Sequence, residues 1–135
     1  MLVEALFCLA LNIYHEARNQ TDEGQIAVAH VVFNRMRDRR FPDTACEVIT
    51  QGGEDRLHKC QFSWYCDGKS DKPTDKAAWD RARQNAIIAI RMLRSGYDPT
   101  NGALWYHAEY VQPYWSVSYD VAMVEGTHIF YHEKK

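Results

Sequence analysis

A change in the hydrophobic pattern near Gly96 constrains the fold of this chain more than any other feature. Before it, apolar residues recur over long stretches at the three- and four-residue spacing of amphipathic helices. After it, residues 102–135 are rich in aromatic and β-branched side chains, which are typical of strands. A chain of 135 residues is long enough for one domain with a hydrophobic core. The pattern therefore predicts a single α+β domain over residues 1–135, mainly helical, with a small antiparallel β-element.

The predicted helices, in chain order, are residues 3–16, 22–37, 44–50 and 75–94. Residues that can cap their first turns precede them: Thr21, Asp43 or Thr44, and Thr74. Three short strands are predicted at residues 103–108, 119–123 and 128–131, with a turn at Glu125-Gly126. An irregular segment, residues 51–73, separates the third and fourth helices, and its dense aromatic residues favour packing over disorder.

The charge and hydropathy of the chain argue against nucleic-acid binding and against a membrane span. The formal net charge of −2 gives no overall basic field for nucleic acid. One local basic run, "NRMRDRR" at residues 34–40, is interpreted as a solvated helix end. No stretch reaches the roughly 18 apolar residues that a membrane span needs. The opening segment lacks a basic start and a small-residue cleavage site, so no signal peptide is predicted.

The four cysteines are predicted to differ in role. Cys8 lies in the first apolar helix and is predicted to be a buried thiol. The other three are close in sequence but include no C-x-x-C pair, which argues against a zinc ribbon. We expect one disulfide among them in an oxidising compartment, either Cys60–Cys66 or Cys46–Cys66.

The adjacent pair His15-Glu16 raises the question of a zinc site. A zincin needs a second histidine four residues after the first, on the same helix face, and that position is Asn19. We therefore predict no metal and no cofactor. The alternative is a scattered metal site built from His15, His107, His128 and His132.

Glu16 is the better candidate for chemistry on its own. It falls at the carboxyl end of an apolar helix, where the helix dipole disfavours negative charge. Partial burial and that dipole would both raise its pKa, as a general acid near neutral pH requires. The alternative is a surface glutamate that simply ends the helix.

Aromatic residues in the predicted loops and short strands suggest a groove for sugars. Tyr and Trp, with an apolar face and a polar edge, suit stacking on sugar rings. The residues are Phe62, Trp64, Tyr65, Trp105, Tyr106, Tyr110, Tyr114 and Trp115. Polar residues lie among them: Gln61, Ser63, Asp67, His107 and Gln112. The pattern favours a groove for a neutral polar polymer, with a small aromatic core as the alternative.

Five blocks of sequence, taken together and in order, resemble the cell-wall hydrolase family typified by the spore cortex-lytic enzyme SleB. They are "ALNIYHEARNQTDEGQIAVAHVVFNR", "FPDTACEVITQ", "QFSWYCDG", "TNGALWYHAEYVQPYW" and "GTHIFY". The resemblance implies a peptidoglycan glycosidase that cleaves between N-acetylmuramic acid and N-acetylglucosamine. Spore members of the family are lytic transglycosylases that leave a 1,6-anhydro product. It also implies a lysozyme- or transglycosylase-like helical lobe, a small β-element, and a substrate groove between them.

The resemblance carries site residues over. The family's catalytic glutamate lies in the Y-x-E-A-R block, which places it at Glu16. Expected substrate-binding residues are Gln61, Ser63, Trp64, Tyr106, His107 and Trp115. The family often reads E-A-R-G-E where this chain has Asn19-Gln20, so a second carboxylate is absent there. Asp67 is a possible second carboxylate, with a role in the Asp-Gly turn as the alternative.

These residues leave more than one function open. A lytic transglycosylase needs one carboxylate, whereas a water-using muramidase normally needs two. A non-catalytic glycan-binding module is the alternative that Gln20 motivates. The expected partner is the peptidoglycan glycan strand, and the protein is expected to be a monomer. We expect either a cytoplasmic phage endolysin that is released to the wall, or a secreted bacterial domain without its leader.

Overall fold

The computed structural model describes residues 2–52 and 60–134. Its helices are α1 (Leu2–Ala17), α2 (Asp22–Met36), α3 (Ala45–Ile49) and α4 (Lys76–Arg94). Its strands are β1 (Trp105–Ala108), β2 (Asp120–Glu125) and β3 (His128–His132). Short 3-10 helices span Ser63–Cys66 and Tyr114–Ser118. The predicted α+β architecture, mainly helical with a small antiparallel sheet, is therefore confirmed. Within the described ranges, no helix has the length and apolar character to cross a membrane.

Helix α2 is the centre of the core. It is buried over most of its length, and it packs against α1, α3 and α4. Its start is fixed by Thr21, whose Oγ1 accepts a hydrogen bond from the Gly24 N–H at 3.0 Å. The carboxyl end of α1 and the amino end of α2 therefore meet in a tight connection beside the core.

The structure decides between two candidate caps for α3 and corrects the predicted cap of α4. Thr44, and not Asp43, caps α3, because its Oγ1 accepts from the Glu47 N–H at 3.2 Å. Asp75, and not Thr74, caps α4, because its Oδ1 accepts from the Ala78 N–H at 3.0 Å. The Thr74 backbone N–H instead donates to the hydroxyl of a core tyrosine on α1 at 3.1 Å.

The cysteines pair only partly as predicted. Cys8 is not a free thiol, because it forms a disulfide with Cys46 that ties α1 to α3, with 5.4 Å between the Cα atoms. Cys60 and Cys66 form the second disulfide, which is one of the two predicted pairs. The alternative pair Cys46–Cys66 is therefore wrong. The short spacing between Cys60 and Cys66 in the sequence indicates that they can form a disulfide. No local spacing indicates that α1 packs against α3, which is what the Cys8–Cys46 disulfide requires.

The strands form an antiparallel sheet in the order β1-β3-β2. The predicted turn between β2 and β3 is confirmed and contains Gly126, whose φ of +58° favours glycine. A Cβ atom there would also lie 2.5 Å from Oε1 of Gln20, so the turn approaches the α1–α2 connection closely. This contact brings one end of the sheet beside Glu16.

Candidate active site

Glu16 and Tyr106 join the helical and β parts of the molecule. Glu16 is on the last turn of α1, and Tyr106 is on β1. The Tyr106 hydroxyl donates a hydrogen bond to Glu16 Oε1 at 2.5 Å. A residue from each part of the fold therefore fixes the position of one carboxyl group.

The surroundings of Glu16 favour its protonated form. Burial raises the pKa of the Glu16 carboxyl above its ordinary value. The Tyr106 hydrogen bond and the charges of Arg35 and His15 oppose the effect of burial, but they do not cancel it. Burial and the neighbouring Glu16 raise the pKa of Tyr106 well above 10, so its hydroxyl remains a donor at neutral pH. The predicted direction of the Glu16 shift is thus confirmed.

Arg35 is the site residue that the sequence interpretation missed. Its side chain is 3% exposed, which corrects its assignment to a solvated helix end. Arg35 Nε donates to the Leu104 carbonyl at 2.8 Å, and the guanidinium lies over the ring of Phe41 at 4.9 Å. Burial lowers its pKa to about 10, so it still carries its charge at neutral pH. A signal was available: Arg35 follows Val28 and Val32 at helical spacing, on the buried side of α2.

Two cavities lie beside the Glu16–Tyr106 pair. Glu16 borders a polar cleft of about 510 Å³. The other residues of this polar cleft include His15, Asn19, Gln20, Tyr110, Thr127 and His128. Tyr106 borders a smaller aromatic cavity of about 240 Å³. The other residues of this aromatic cavity are Arg35, Gln61, Trp105, Trp115 and Tyr119. Each residue of the hydrogen-bonded pair therefore borders a cavity, Glu16 the polar cleft and Tyr106 the aromatic cavity, and we call the two cavities together the groove.

Trp64 lies behind this groove and not on its surface. Its side chain is 8% exposed, and its indole N–H donates to Asn12 Oδ1 at 2.8 Å. The His15 ring stacks on it with 4.5 Å between ring centroids. His15 Nε2 also pairs with the backbone carbonyl of Asp71 at 2.9 Å. The expected stacking of Trp64 on a sugar therefore needs correction: its ring supports His15 and the groove from beneath.

Gln61 and Ser63 belong to the same short loop but differ in placement. Gln61 borders the aromatic cavity, and its backbone N–H donates to the Gln51 carbonyl at 2.9 Å. Ser63 lies at the exposed start of the 3-10 helix that follows. The Cys60–Cys66 disulfide closes this loop around both residues. The structure therefore brings Gln61, but not Ser63, to the border of the cavity.

Tyr106 and His107 are neighbours on β1, so their side chains lie on opposite faces of the sheet. His107 pairs with the Tyr131 hydroxyl through Nε2 and with the Ala108 carbonyl through Nδ1, both at 2.7 Å. The edge of its ring also contacts Trp115, with 5.6 Å between centroids. His107 thus supports the wall that Trp115 contributes to the aromatic cavity, and it does not face Glu16.

Asp67 lies outside both cavity linings. Its Oδ1 accepts a hydrogen bond from the Lys69 N–H at 2.9 Å, the pattern of an Asx turn around Gly68. Gly68 has a φ of +81°, which suits that turn. The turn interpretation of the Asp-Gly pair therefore has a direct structural basis, and a role as second carboxylate stays a prediction.

The Gln20 side chain connects two segments of the chain at the end of the polar cleft. Its Nε2 donates to Thr127 Oγ1 at 2.8 Å, and its Oε1 accepts from the Thr127 N–H at 3.1 Å. These two bonds hold the β2–β3 turn against the α1–α2 connection. Both polar atoms of the amide are therefore bonded at a position where the family often has a carboxylate.

Metal binding has no cluster to support it in residues 2–52 and 60–134, where no three His, Cys, Asp or Glu side chains group around one point. Three of the four histidines of the scattered alternative have other partners, and for His15 the partner is the Asp71 carbonyl. His107 is held by Tyr131, and the His132 ring pairs with the Glu133 carbonyl at 2.7 Å.

Comparisons with known proteins match this chain to wall-degrading enzymes. The family model described as Cell Wall Hydrolase matches residues 19–131. The spore cortex-lytic enzymes of Oceanobacillus iheyensis and Bacillus subtilis are 36% and 32% identical to it, over 99 and 98 residues. Each alignment covers 73% of this chain but only 30% and 27% of those relatives. The chain therefore spans less than a third of the length of these curated relatives.

Solved structures give the same answer for the fold. The catalytic domain of the germination-specific lytic transglycosylase SleB from Bacillus anthracis superposes with a TM-score of 0.72 at 29% identity. That match covers 95% of this chain and 93% of the other. The catalytic domain of the Bacillus cereus SleB protein gives a TM-score of 0.71, also at 29% identity, over 95% of this chain and 89% of the other. The predicted lysozyme-like helical lobe with a small sheet is thereby confirmed.

Proposed function

This chain belongs to the cell wall hydrolase family, and from that premise we propose that it is a peptidoglycan glycosidase. It cleaves the bond between N-acetylmuramic acid and N-acetylglucosamine as a lytic transglycosylase, acting as a monomer with Glu16 as its acid and base. One observation carries the proposal: a partly buried carboxyl of raised pKa borders an open polar cleft and has one oxygen fixed by Tyr106.

The hydrogen bond from Tyr106 decides which Glu16 oxygen acts. Oε1 accepts from Tyr106, so the proton of the acid form belongs on Oε2. That proton passes to the glycosidic oxygen as the bond from this oxygen to C1 of the muramic acid breaks. The departing N-acetylglucosamine keeps the oxygen as its 4-hydroxyl, and C1 gains cation-like character that the sugar's own acetamido group helps to stabilise.

The second step needs no water. Glu16, now a carboxylate, takes the proton from the 6-hydroxyl of the muramic acid. The freed oxygen attacks C1 and closes the 1,6-anhydro ring, so the acid is restored and no atom is gained or lost. One carboxylate therefore performs both proton transfers, whereas glycosidases that use water normally need two.

The contacts of Gln20 support this mechanism over a non-catalytic module. An amide at position 20 would suggest lost activity only if a carboxylate there acted on the substrate. Both polar atoms of the Gln20 side chain instead bond Thr127. The turn that they hold contributes to the polar cleft, so the substitution is compatible with an intact site.

A water-using muramidase is the second candidate, with Asp67 as its second carboxylate. Its motivation lies in Asp71, whose pKa is raised by burial and by the charge of Asp67 and whose backbone carbonyl pairs with His15, so two carboxylates lie in the segment beside His15. Asp67 is already bonded within its turn, however, so this candidate requires the turn to rearrange.

Two disulfides support action at the wall, since such bonds persist outside the reducing cytoplasm. Service as a phage endolysin is the finer part of the proposal, with a secreted bacterial domain as the alternative. Co-expression with and without a membrane-permeabilising protein tests the endolysin role. Lysis of the host only in its presence supports the endolysin role, and lysis in its absence contradicts it.

Digestion of purified peptidoglycan in ¹⁸O-labelled water tests the mechanism. We expect released muropeptides that lack ¹⁸O and are one water lighter than reducing products, as measured by mass spectrometry. Incorporation of one ¹⁸O atom per product would establish the muramidase instead. Sedimentation with peptidoglycan and no released product would establish a binding module. The Glu16→Gln variant is the control, and it should release nothing.

A further inference from the structure

We propose that the aromatic cavity recognises the 2-acetamido group of a bound sugar, with the Arg35 guanidinium as donor to its carbonyl oxygen. The inference rests on the proposed function for the kind of ligand, a β-1,4-linked N-acetylated sugar chain. Its test measures binding in a variant without the acid, so the two proposals can fail independently.

Arg35 has unused hydrogen-bonding capacity in a buried place. A guanidinium carries five N–H donors, and Arg35 Nε uses one of them on the Leu104 carbonyl. Arg35 Nη1 is buried and has no hydrogen-bond partner in the described part of the chain. Polar groups that are buried in native proteins are nearly always bonded, and an exception calls for an explanation. A ligand oxygen at this cavity supplies one.

Neighbouring groups within the described ranges do not fill this role. The Tyr106 hydroxyl lies in the same lining and donates to Glu16, but its oxygen accepts no hydrogen bond from Arg35 Nη1. Glu16 affects Arg35 through its charge and forms no ion pair with it within residues 2–52 and 60–134. The rings of Phe41 and Phe62, with centroids 4.9 and 5.4 Å from the guanidinium carbon, offer no acceptor atom.

The walls of the cavity are formed by rings that other contacts hold. Trp105 stacks on Tyr119 with 3.7 Å between ring centroids. Trp115 contacts Tyr131 edge to face at 5.6 Å. The rings are therefore in place without a ligand, which reduces the entropy lost on binding.

An acetamido group matches this set of neighbours. Its carbonyl oxygen accepts from Arg35, its N–H can donate to the side-chain oxygen of Gln61, and its methyl group suits the aromatic rings. A hydroxyl at the same carbon has no methyl group to contact the rings, and its oxygen extends less far from the sugar ring towards Arg35. Tyr106 links the cavity to Glu16, so the recognised sugar lies next to the reacting bond.

Two neutral oligosaccharides that differ at this carbon test the proposal. Chitopentaose carries acetamido groups where cellopentaose carries hydroxyls, and both are β-1,4-linked. We would titrate each into the Glu16→Gln protein and follow the ¹⁵N-indole signals by NMR. Chitopentaose should shift the Trp105 and Trp115 signals and leave Trp79, on α4, unmoved. It should also bind about tenfold more tightly than cellopentaose. Equal affinities, or shifts that omit both cavity tryptophans, would overturn the proposal.

Adding Arg35→Met to that background should remove most of the tenfold preference and leave cellopentaose affinity within about twofold. Arg40→Met is the matched control. It removes the same charge near Trp105, but Arg40 is exposed and paired with Asp38 and Glu133, so the preference should persist. An equal loss for both sugars in Arg35→Met would contradict acetamido recognition.

Gln61→Ala keeps the test decisive if Arg35→Met does not fold, because Gln61 is exposed and its backbone bond survives the substitution. Its expected effect is a roughly threefold loss of affinity for chitopentaose alone. No change, or the same loss for cellopentaose, would count against the proposal.

Discussion

The end of α1 and the turn after Cys66 each present one candidate carboxylate, and their surroundings differ. Glu16 is partly buried, bonded to a tyrosine from another element, and raised in pKa by burial. Asp67 accepts from a backbone N–H two residues away, so its bond is local. Both residues carry a carboxyl group, so the difference between a candidate acid and a turn former lies in contacts with distant segments and not in residue type.

The largest effect should come from removing the acid. Glu16→Gln keeps the shape of the side chain and an oxygen that accepts from Tyr106, but an amide cannot act as a general acid. General acid–base groups typically contribute about 10²- to 10⁴-fold, so we expect a loss of peptidoglycan lysis in that range. Turbidity loss of a wall suspension measures it. Retention of wild-type lysis would overturn the assignment of Glu16.

The same variant should be more stable than the wild type at neutral pH. The folded pKa of Glu16 is raised, so the native state holds its proton more tightly than the unfolded chain does. Stability from this group is therefore present at low pH and declines as pH rises through the folded pKa. Urea unfolding should show a gain for Glu16→Gln at pH 7 that disappears below the ordinary glutamate pKa of about 4.3. A gain that is larger at low pH would contradict this sign.

The second largest effect should come from Tyr106→Phe, which removes the hydroxyl and keeps the ring. The hydrogen bond lowers the pKa of Glu16, so its loss should raise that pKa further. The alkaline limb of the pH–rate profile should then move to higher pH, and activity should fall about ten- to a hundredfold because Oε1 is no longer fixed. Tyr65→Phe, in an exposed ring, is the matched control. An alkaline limb that moves to lower pH would show that Tyr106 acts in another way.

A smaller effect is expected at Gln20, which holds the turn of the polar cleft. Gln20→Ala removes both bonds to Thr127, and since the pair is exposed we expect a loss of roughly 1 kcal/mol in stability and a severalfold loss of activity. Gln20→Glu keeps acceptors for the Thr127 N–H and hydroxyl and should stay near wild type in both. A manyfold rise in the activity of Gln20→Glu would indicate that a second carboxylate takes part after all.

Sequence patterns predicted the parts of the molecule that depend on local spacing. The helical period predicted α1 and its end at Glu16, and the β-rich tail predicted the sheet. Glu16 became a candidate acid because the helix dipole and burial follow from its place in α1, and the resemblance to the cell wall hydrolase family placed the catalytic glutamate at the same residue. Each of these inferences needs only neighbours in the chain.

The remaining features depend on contacts between distant segments. The Cys8–Cys46 bond requires knowing that α1 packs on α3. Trp64 and Tyr106 have the same aromatic character in sequence, but one is buried behind His15 and the other meets Glu16. Arg35 was hidden by the charges that follow it, although its spacing on α2 indicated burial. Residue type alone cannot separate such cases.

The smallest effect should come from Asp67→Asn, which changes the second candidate carboxylate. An asparagine side chain keeps the Oδ1 acceptor that the Lys69 N–H uses, so the turn around Gly68 should form as before. If the site needs only Glu16, lysis should stay within about twofold of wild type, and the products should remain free of ¹⁸O. Asp67→Ala, which removes the acceptor, controls for the turn through its thermal stability. A hundredfold loss in Asp67→Asn at unchanged stability would instead make Asp67 a partner of Glu16, and the water-using muramidase would replace the one-carboxylate mechanism.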